Sequence, residues 1–253
     1  MKDFLKKLNY RLGLHPRGLI NLLYYIIQFR FGEIYSFWLE TRRYKKELQN
    51  SNKVIIYPNF CDKKSTTVID EYYFYQDVWA AKMAISIKPK KIVDIGSTAL
   101  LVGFLSQLAE TVSIDIRPLT VSLGNLTCKR YSITELPFSD NSIEYINSLC
   151  VIEHVGLGRY GDGLDIKGAE KACAELRRVL RQGGYLVASV PLGPSCVVFN
   201  AHRIFGRDEF LEMFPGFEIM EEIFCVPEYT KTNPTLTMKR GESHILCVCL
   251  RKK

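Results

Sequence analysis

From residue 91 onward the apolar positions alternate between short unbroken runs and helical spacings. Residues 91–96, Lys-Ile-Val-Asp-Ile-Gly, read as a buried strand that ends in an acid and a glycine. Residues 100–109 carry a helical face and 111–116 the next strand. A strand over 142–148 follows the turn at Asp140-Asn141. Residues 167–180 predict a helix with Gly183-Gly184 as its stop. Residues 185–190 predict a strand closed by Pro191, and 217–225 and 244–250 a final antiparallel pair. Upstream, residues 70–87 place Tyr72, Tyr73, Phe74, Trp79, Ala80, Ala81, Met83 and Ala84 on a helix closed by Pro89. Strands alternating with helices predict an α/β fold, a doubly wound and mostly parallel sheet with helices on both faces.

The first 50 residues break this pattern. An apolar stretch over 19–29 has only Asn21 and Gln28 as strongly polar members. Arg30 and Glu33 interrupt it before the ~20 residues that a membrane-spanning helix needs. Aromatics are dense (Tyr24, Tyr25, Phe29, Phe31, Tyr35, Phe37, Trp38) and basic residues flank both ends. The segment holds ten Lys or Arg against four Asp or Glu, so +6 of the chain's net +7 sits there and the body is near neutral. One reading is a helix lying in the membrane interface, aromatics down and basic groups toward anionic lipid. The other is a helical cap on the domain, or a contact between two copies in a homo-oligomer. In both, the charge run from Arg42 to Lys46 is a solvated helix face. Residues 51–64 read as a linker or an added strand, and the expected division is a helical extension over 1–50 and a domain over 51–253.

Composition narrows the class. With 253 residues, 47% hydrophobic and 24% charged, the chain is neither disordered nor fibrous. A basic excess confined to the head does not make a nucleic-acid surface. The eight cysteines form no Cys-x-x-Cys pair, which argues against zinc-finger and thioredoxin chemistry. Free thiols in apolar runs suit a reducing cytosol. The opening Met-Lys-Asp-Phe-Leu-Lys-Lys lacks the features of a signal peptide. The expected location is cytoplasmic, with the head at the inner face of the membrane on the first reading.

The candidate chemistry begins at Val93-Asp94-Ile95-Gly96-Ser97, with Asp115 ending the next strand 19 positions after Gly96. In doubly wound folds a glycine turn admits a nucleoside, and an acid roughly 20 residues on accepts its ribose hydroxyls. The turn from Gly96 to Gly103 lacks the second glycine of a dinucleotide site. That speaks against a nicotinamide dinucleotide and leaves room for a nucleoside without phosphates.

These motifs, with 136–143, 151–155 and 176–185 in order, resemble class I S-adenosylmethionine-dependent methyltransferases. A narrower likeness lies in Tyr73-Phe-Tyr-Gln-Asp-Val-Trp-Ala-Ala81, Ile114-Asp-Ile-Arg-Pro-Leu119, Val151 to Asp162 and Phe199-Asn-Ala-His-Arg203. Those segments resemble the domain-of-unknown-function family 268, whose members are often linked to bacterial surface polysaccharide biosynthesis. The resemblance implies a Rossmann-like fold with S-adenosylmethionine as cofactor. It places Asp94 and Gly96 at the methionine end, Asp115 on the ribose, and Ser132 and Ile133 against the adenine, where the acid usual in such enzymes is absent.

The stretch from Glu153 to Asp165 is the most polar part of the likeness. Gly156, Gly158 and Gly161 argue for a shaped loop rather than a helix. Into it are set Glu153, His154, Arg159, Tyr160 and Asp162. His154 suits a general base, because an imidazole titrates near neutrality. Arg159 and Tyr160 suit a sugar phosphate or carboxylate. Asp162 either faces the substrate or pairs with Arg159. Asn200, His202 and Arg203 form a second cluster positioned to close over the same crevice, with His202 the rival base. Glu153, His154, Asp162 and His202 are metal-ligating types without ligand spacing, so no metal is expected. Gln76 and Asp77 are expected at the pocket wall. The leading reading is methyl transfer to a hydroxyl of a carbohydrate or lipid-linked sugar. The alternatives are a group-transfer enzyme using a nucleotide-sugar, and a non-catalytic scaffold on the same fold.

Overall fold

The computed structural model describes residues 31–48, 54–60, 62, 65–226, 228–230 and 243–253. The apolar stretch over 19–29, and residues 51–53, 61, 63 and 64 of the segment read as a linker or strand, lie outside the described residues. The chain forms two compact units, Met1–Val68 and Ile69–Lys253. In the first, helix α1 (Phe31–Glu47) buries none of its residues. Arg43 Nε donates to Glu47 Oε1 at 3.0 Å, one turn along, and both side chains are exposed. The Phe37 ring packs edge-on against Trp38 and Phe60. No described helix is long and apolar enough to cross a membrane.

The second unit starts with α2 (Glu71–Ile87), whose N-cap Asp70 accepts from the Tyr73 amide at 3.2 Å. Then come β1 (Lys91–Ile95), α3 (Ala99–Leu108), β2 (Glu110–Asp115), β3 (Leu126–Arg130) and β4 (Ile143–Leu149). A single 3-10 turn, Ile152–His154, precedes α4 (Gly168–Val179) and β5 (Leu180–Leu192). A short hairpin, β6 (Cys196–Val198) with β7 (His202–Ile204), leads to α5 (Arg207–Glu212). The chain closes through β8 (Phe217–Val226), β9 (Glu228–Thr230) and β10 (His244–Lys252).

The main sheet runs β3-β2-β1-β4-β5-β10-β8-β9. From β3 to β5 all pairs are parallel, while β10 is antiparallel to both β5 and β8. The order reverses at β1, since β2 lies on one side and β4 on the other. That reversal opens a crevice at the carboxyl ends of β1, β2 and β4.

Alternation along each strand divides the core in two. Val93, Ile95, Ile146, Leu186, Ala188 and Val248 join the cluster under α4, with Ala172 and Leu176. Ile92, Tyr145, Leu149, Val187 and Cys249 join the cluster under α2 and α3, with Trp79, Met83 and Leu105. Runs apolar on both faces are what a sheet covered on both sides requires.

Two expected stops are corrected. α4 ends because Leu180 turns extended (φ −72°, ψ 129°), and Gly183 and Gly184 lie inside β5. Pro191 does not close its strand but pairs with Ile245 of β10. Pairing with β4 ends at Ser189, so Pro191 borders only one strand and its missing N–H leaves no break in the ladder.

Phe210 of α5 is fully buried, with its ring 5.8 Å from Phe205 and 5.5 Å from Phe214. Phe210→Ala is expected to lower the unfolding free energy by about 3–5 kcal/mol, read from urea denaturation.

Candidate functional site

The turn after β1 is shaped from below. Asp94 is fully buried, and its Oδ2 accepts from Asn147 Nδ2 of β4 at 2.6 Å. Its Oδ1 accepts from the Ser97 amide at 3.3 Å, and Asn147 Nδ2 also reaches Ser97 Oγ at 3.0 Å. Burial pushes the Asp94 carboxyl up to about 6, against those hydrogen bonds. Asp94 is absent from the cleft wall. Expected at the methionine end, it sits beneath the turn that lines the cleft and holds that turn in place. Gly96 has φ +65°, and a Cβ there would stand 2.9 Å from Val151 Cγ2. Only glycine meets both conditions. Where a dinucleotide site carries its second glycine, Thr98 caps α3, accepting from the Leu101 amide at 3.3 Å. Its hydroxyl donates to Asp77 Oδ2 at 2.6 Å.

The cleft at this switch point has a volume of about 220 Å3. Ile95, Gly96, Ile114, Asp115, Ser132 and Ile133 form one wall, and Leu149 to Val151, His154 and Tyr160 another. Asp115 Oδ1 accepts from the Arg117 amide at 2.7 Å. Its Oδ2 lies 3.6 Å from the point a Gly96 Cβ would occupy. A carboxylate oxygen and a bare α-carbon thus face the same space, which fits a ribose held close to the backbone. Ile133 is buried, while Ser132 Oγ shares a hydrogen bond with Thr134 Oγ1 at 2.8 Å. The Ser132 carbonyl accepts from the Glu135 amide at 3.0 Å, and Ile133 offers the apolar surface of that wall.

The loop after β4 carries the other groups. Glu153 is 1% exposed and burial pushes its carboxyl up to about 8, so it holds its proton at neutral pH. His154 Nδ1 donates to the Ala201 carbonyl at 2.7 Å. Burial first, then the charges of Arg159 and His202, lower His154 to about 4. The imidazole is thus neutral, with its Nε2 lone pair free, 3.7 Å from Glu153 Oε1. Its ring packs edge-on to Tyr160 at 5.2 Å and to His202 at 6.5 Å.

Asp162 makes no ion pair with Arg159 among the described contacts. Its Oδ2 accepts from the Gly156 amide at 2.7 Å and its Oδ1 from the Tyr160 amide at 3.3 Å. Gly156 has φ +80°, and a Cβ would run into the Asp165 carbonyl. Arg203 is 8% exposed and donates to the carbonyls of Glu153, Val155 and Asp165 at 3.4, 2.6 and 3.3 Å. It clamps the loop from behind and does not line the cleft, so its expected substrate contact is corrected. Asn200 is exposed outside the cleft wall, and His202 also lies off that wall. Among the described residues, no group of three or more His, Cys, Asp or Glu is placed to hold a metal ion.

Among the lining residues given no role in the sequence reading are Tyr73, Arg117 and Cys150. The first two stand inside the quoted motifs, which was the available signal. Burial pushes the Tyr73 phenol up to about 12, so it stays a hydrogen-bond donor. Cys150 adopts φ +51°, and its thiol donates to Gln76 Oε1 at 3.0 Å. Gln76 Oε1 also accepts from Ser189 Oγ at 2.6 Å. Gln76 and Asp77 are therefore corrected from pocket wall to the layer beneath it.

A carboxyl raised to about 8 from its ordinary 4.5 stabilises the fold while protonated and loses that contribution as pH rises through 8. Asp94 acts likewise up to about 6, and His154, lowered to about 4, acts oppositely below 6.5. Between pH 6.5 and 8, urea denaturation should show wild-type stability falling with pH. In Glu153→Gln that slope should be absent.

The model of the family described as Caenorhabditis protein of unknown function, DUF268, matches residues 126–248. An uncharacterized protein of Methanocaldococcus jannaschii, MJ0638, is 27% identical over 116 residues, 43% of this chain and 46% of that protein, so less than half its length is matched. The N-methyltransferase NodS of Bradyrhizobium japonicum superposes with a TM-score of 0.54 at 12% identity, over 72% of this chain and 97% of that one. A sarcosine dimethylglycine methyltransferase assigned in Galdieria sulphuraria gives 0.52 at 17%, over 71% and 86%. The [4+2]-cyclase SpnF gives 0.52 at 14%, over 71% and 81%. The strand order and these likenesses agree: the chain has the Rossmann-like fold of class I S-adenosylmethionine-dependent methyltransferases, with its DUF268 likeness over residues 126–248.

Proposed function

We propose that this chain is an S-adenosylmethionine-dependent methyltransferase that methylates a hydroxyl of a carbohydrate acceptor, a sugar on the route to a bacterial surface polysaccharide. One observation carries the reading. The Asp115 carboxylate and the bare Gly96 α-carbon face one cleft at the carboxyl ends of β1 and β2. NodS, of similar fold, has been crystallised with S-adenosyl-l-homocysteine, which supports the cofactor class. The acceptor class is supported by the resemblance to family 268 and by the polar loop beside the cleft.

When bound, S-adenosylmethionine supplies a methyl group on a positively charged sulfur. Asp115 would accept hydrogen bonds from the ribose hydroxyls, Gly96 would let the ligand approach the backbone, and Ser132 and Ile133 would flank the adenine. Asp94 acts from beneath by fixing the turn. Ile95, Ile114, Ile133 and Leu149 keep water from the cleft floor. His154, anchored through Nδ1 on the Ala201 carbonyl, would take the acceptor hydroxyl proton on Nε2, although burial, which lowers it to about 4, makes it a weaker base than a free imidazole. The basic, aromatic residues 1–50 would keep the enzyme beside a lipid-linked acceptor at the inner face of the membrane.

One specific observation favours a second reading. SpnF has a similar fold and is a cyclase, so architecture alone leaves the reaction open. A group transfer from a nucleotide-sugar would use the same crevice. Calorimetry separates them. S-adenosylmethionine should bind the wild-type protein, and Asp115→Ala should weaken binding at least about tenfold, about 1.4 kcal/mol, with unchanged circular dichroism. A folded protein that gives no heat with millimolar ligand removes the methyltransferase reading.

A further inference from the structure

The cleft mouth carries two cations that the proposed cofactor does not use. Arg117, in the connection after β2, and Arg159, in the loop before α4, are both exposed. They approach the same aromatic ring: their guanidinium carbons lie 4.2 and 5.0 Å from the Tyr160 centroid. Tyr160 and Arg117 line the cleft. Two like charges gathered on one ring repel each other, and a cation–π contact returns only about 0.5–1 kcal/mol at an exposed site.

Elsewhere in this unit three guanidinium groups find carboxylates, while Arg203 bonds backbone carbonyls and Arg251 lies over the Tyr185 ring. Arg178 pairs with Glu175 and Asp140, Arg181 with Glu144, and Arg207 with Glu222 and Asp208. Among the described residues neither Arg117 nor Arg159 has such a pair. Arg159 gives one bond, Nη1 to the Ala201 carbonyl at 2.9 Å, an oxygen that already receives His154 Nδ1. The nearby carboxylates make no ion pair with them: Asp115 Oδ1 accepts from the Arg117 amide while its Oδ2 faces the cleft beside Gly96, and Asp162 accepts from the amides of Gly156 and Tyr160. Glu153 is buried and neutral. The remaining forked donors at the mouth face solvent with no anion to receive.

We infer that Arg117 and Arg159, set around Tyr160, form an anion subsite at the cleft mouth that grips a phosphate or carboxylate carried by the acceptor. Planar forked donors suit those groups better than a neutral hydroxyl. The acceptor on this account is a sugar phosphate or an acidic sugar, held so that a nearby hydroxyl meets His154. Naming the bound group as part of the acceptor rests on the methyl-transfer reading. The subsite itself does not.

The test uses the full-length chain at constant ionic strength, with and without saturating S-adenosylhomocysteine. Inorganic phosphate and malonate are titrated separately by calorimetry. Wild type should bind at least one in the millimolar range, and Arg159→Met and Arg117→Met should each weaken that binding at least about fivefold. S-adenosylhomocysteine affinity in Arg159→Met should stay within about twofold. Preference for phosphate points to a phosphorylated acceptor, and preference for malonate to an acidic sugar. Absence of anion binding by wild type, or binding untouched by both variants, overturns the subsite. If S-adenosylhomocysteine binds all the same, the methyl-transfer reading survives that failure. If anions bind and the cofactor product does not, the subsite stands and the methyl-transfer reading falls.

Discussion

A carboxylate in the middle of the sheet governs the site. Asp94 has no exposure to water, and its two oxygens are met by Asn147 on β4 and by the Ser97 amide. Leaving such a group unpaired in the interior would cost several kcal/mol. The pair therefore ties the end of β1 to β4 and sets the path of the chain through Gly96. Every other feature of the cleft follows from that path. Gly96 can lie against Val151 and opposite Asp115 only because the turn leaves the sheet at that angle.

A second layer of polar groups continues the arrangement under α2. Gln76 accepts from Ser189 and from Cys150, while Asp77 receives the Thr98 hydroxyl. Arg203 does the same for the loop, gathering three of its carbonyls from behind. The buried polar groups thus hold backbone, and the groups left for ligands stand in front of them. A low-dielectric layer makes these bonds firm, and it also raises the carboxyls of Asp94 and Glu153. The two guanidinium groups over the Tyr160 ring stand in front of this layer.

Much of the fold was legible in the chain because its signals are local. The strands over 91–96 and 111–116 declare themselves by closely spaced Val and Ile, and the helix over 70–87 by its apolar face and the closing Pro89. Gly96 and Asp115 were legible as a pair because a crossover of about this length brings strand ends together. Stops were less legible. Gly183-Gly184 resembles a helix cap, yet the chain had already turned extended at Leu180. Nothing within a few residues announces that change, since it depends on the register of β5 against β4.

Residue identity therefore determined which groups exist at the crevice: an acid, a glycine turn, an imidazole and an excess of guanidinium near the loop. Tertiary structure decided which way each one faces. Asp94 and Arg203 have the chemistry of ligand-binding residues but turn inward, because groups from distant segments meet them there: the Asn147 side-chain amide and the Val155 carbonyl. Arg117 and Tyr160 sit 43 positions apart and meet only when the β2 and β4 loops converge at one sheet edge. A hydrogen bond or a cation–π contact depends on distances of a few ångströms, and those are set by packing, not by spacing along the chain.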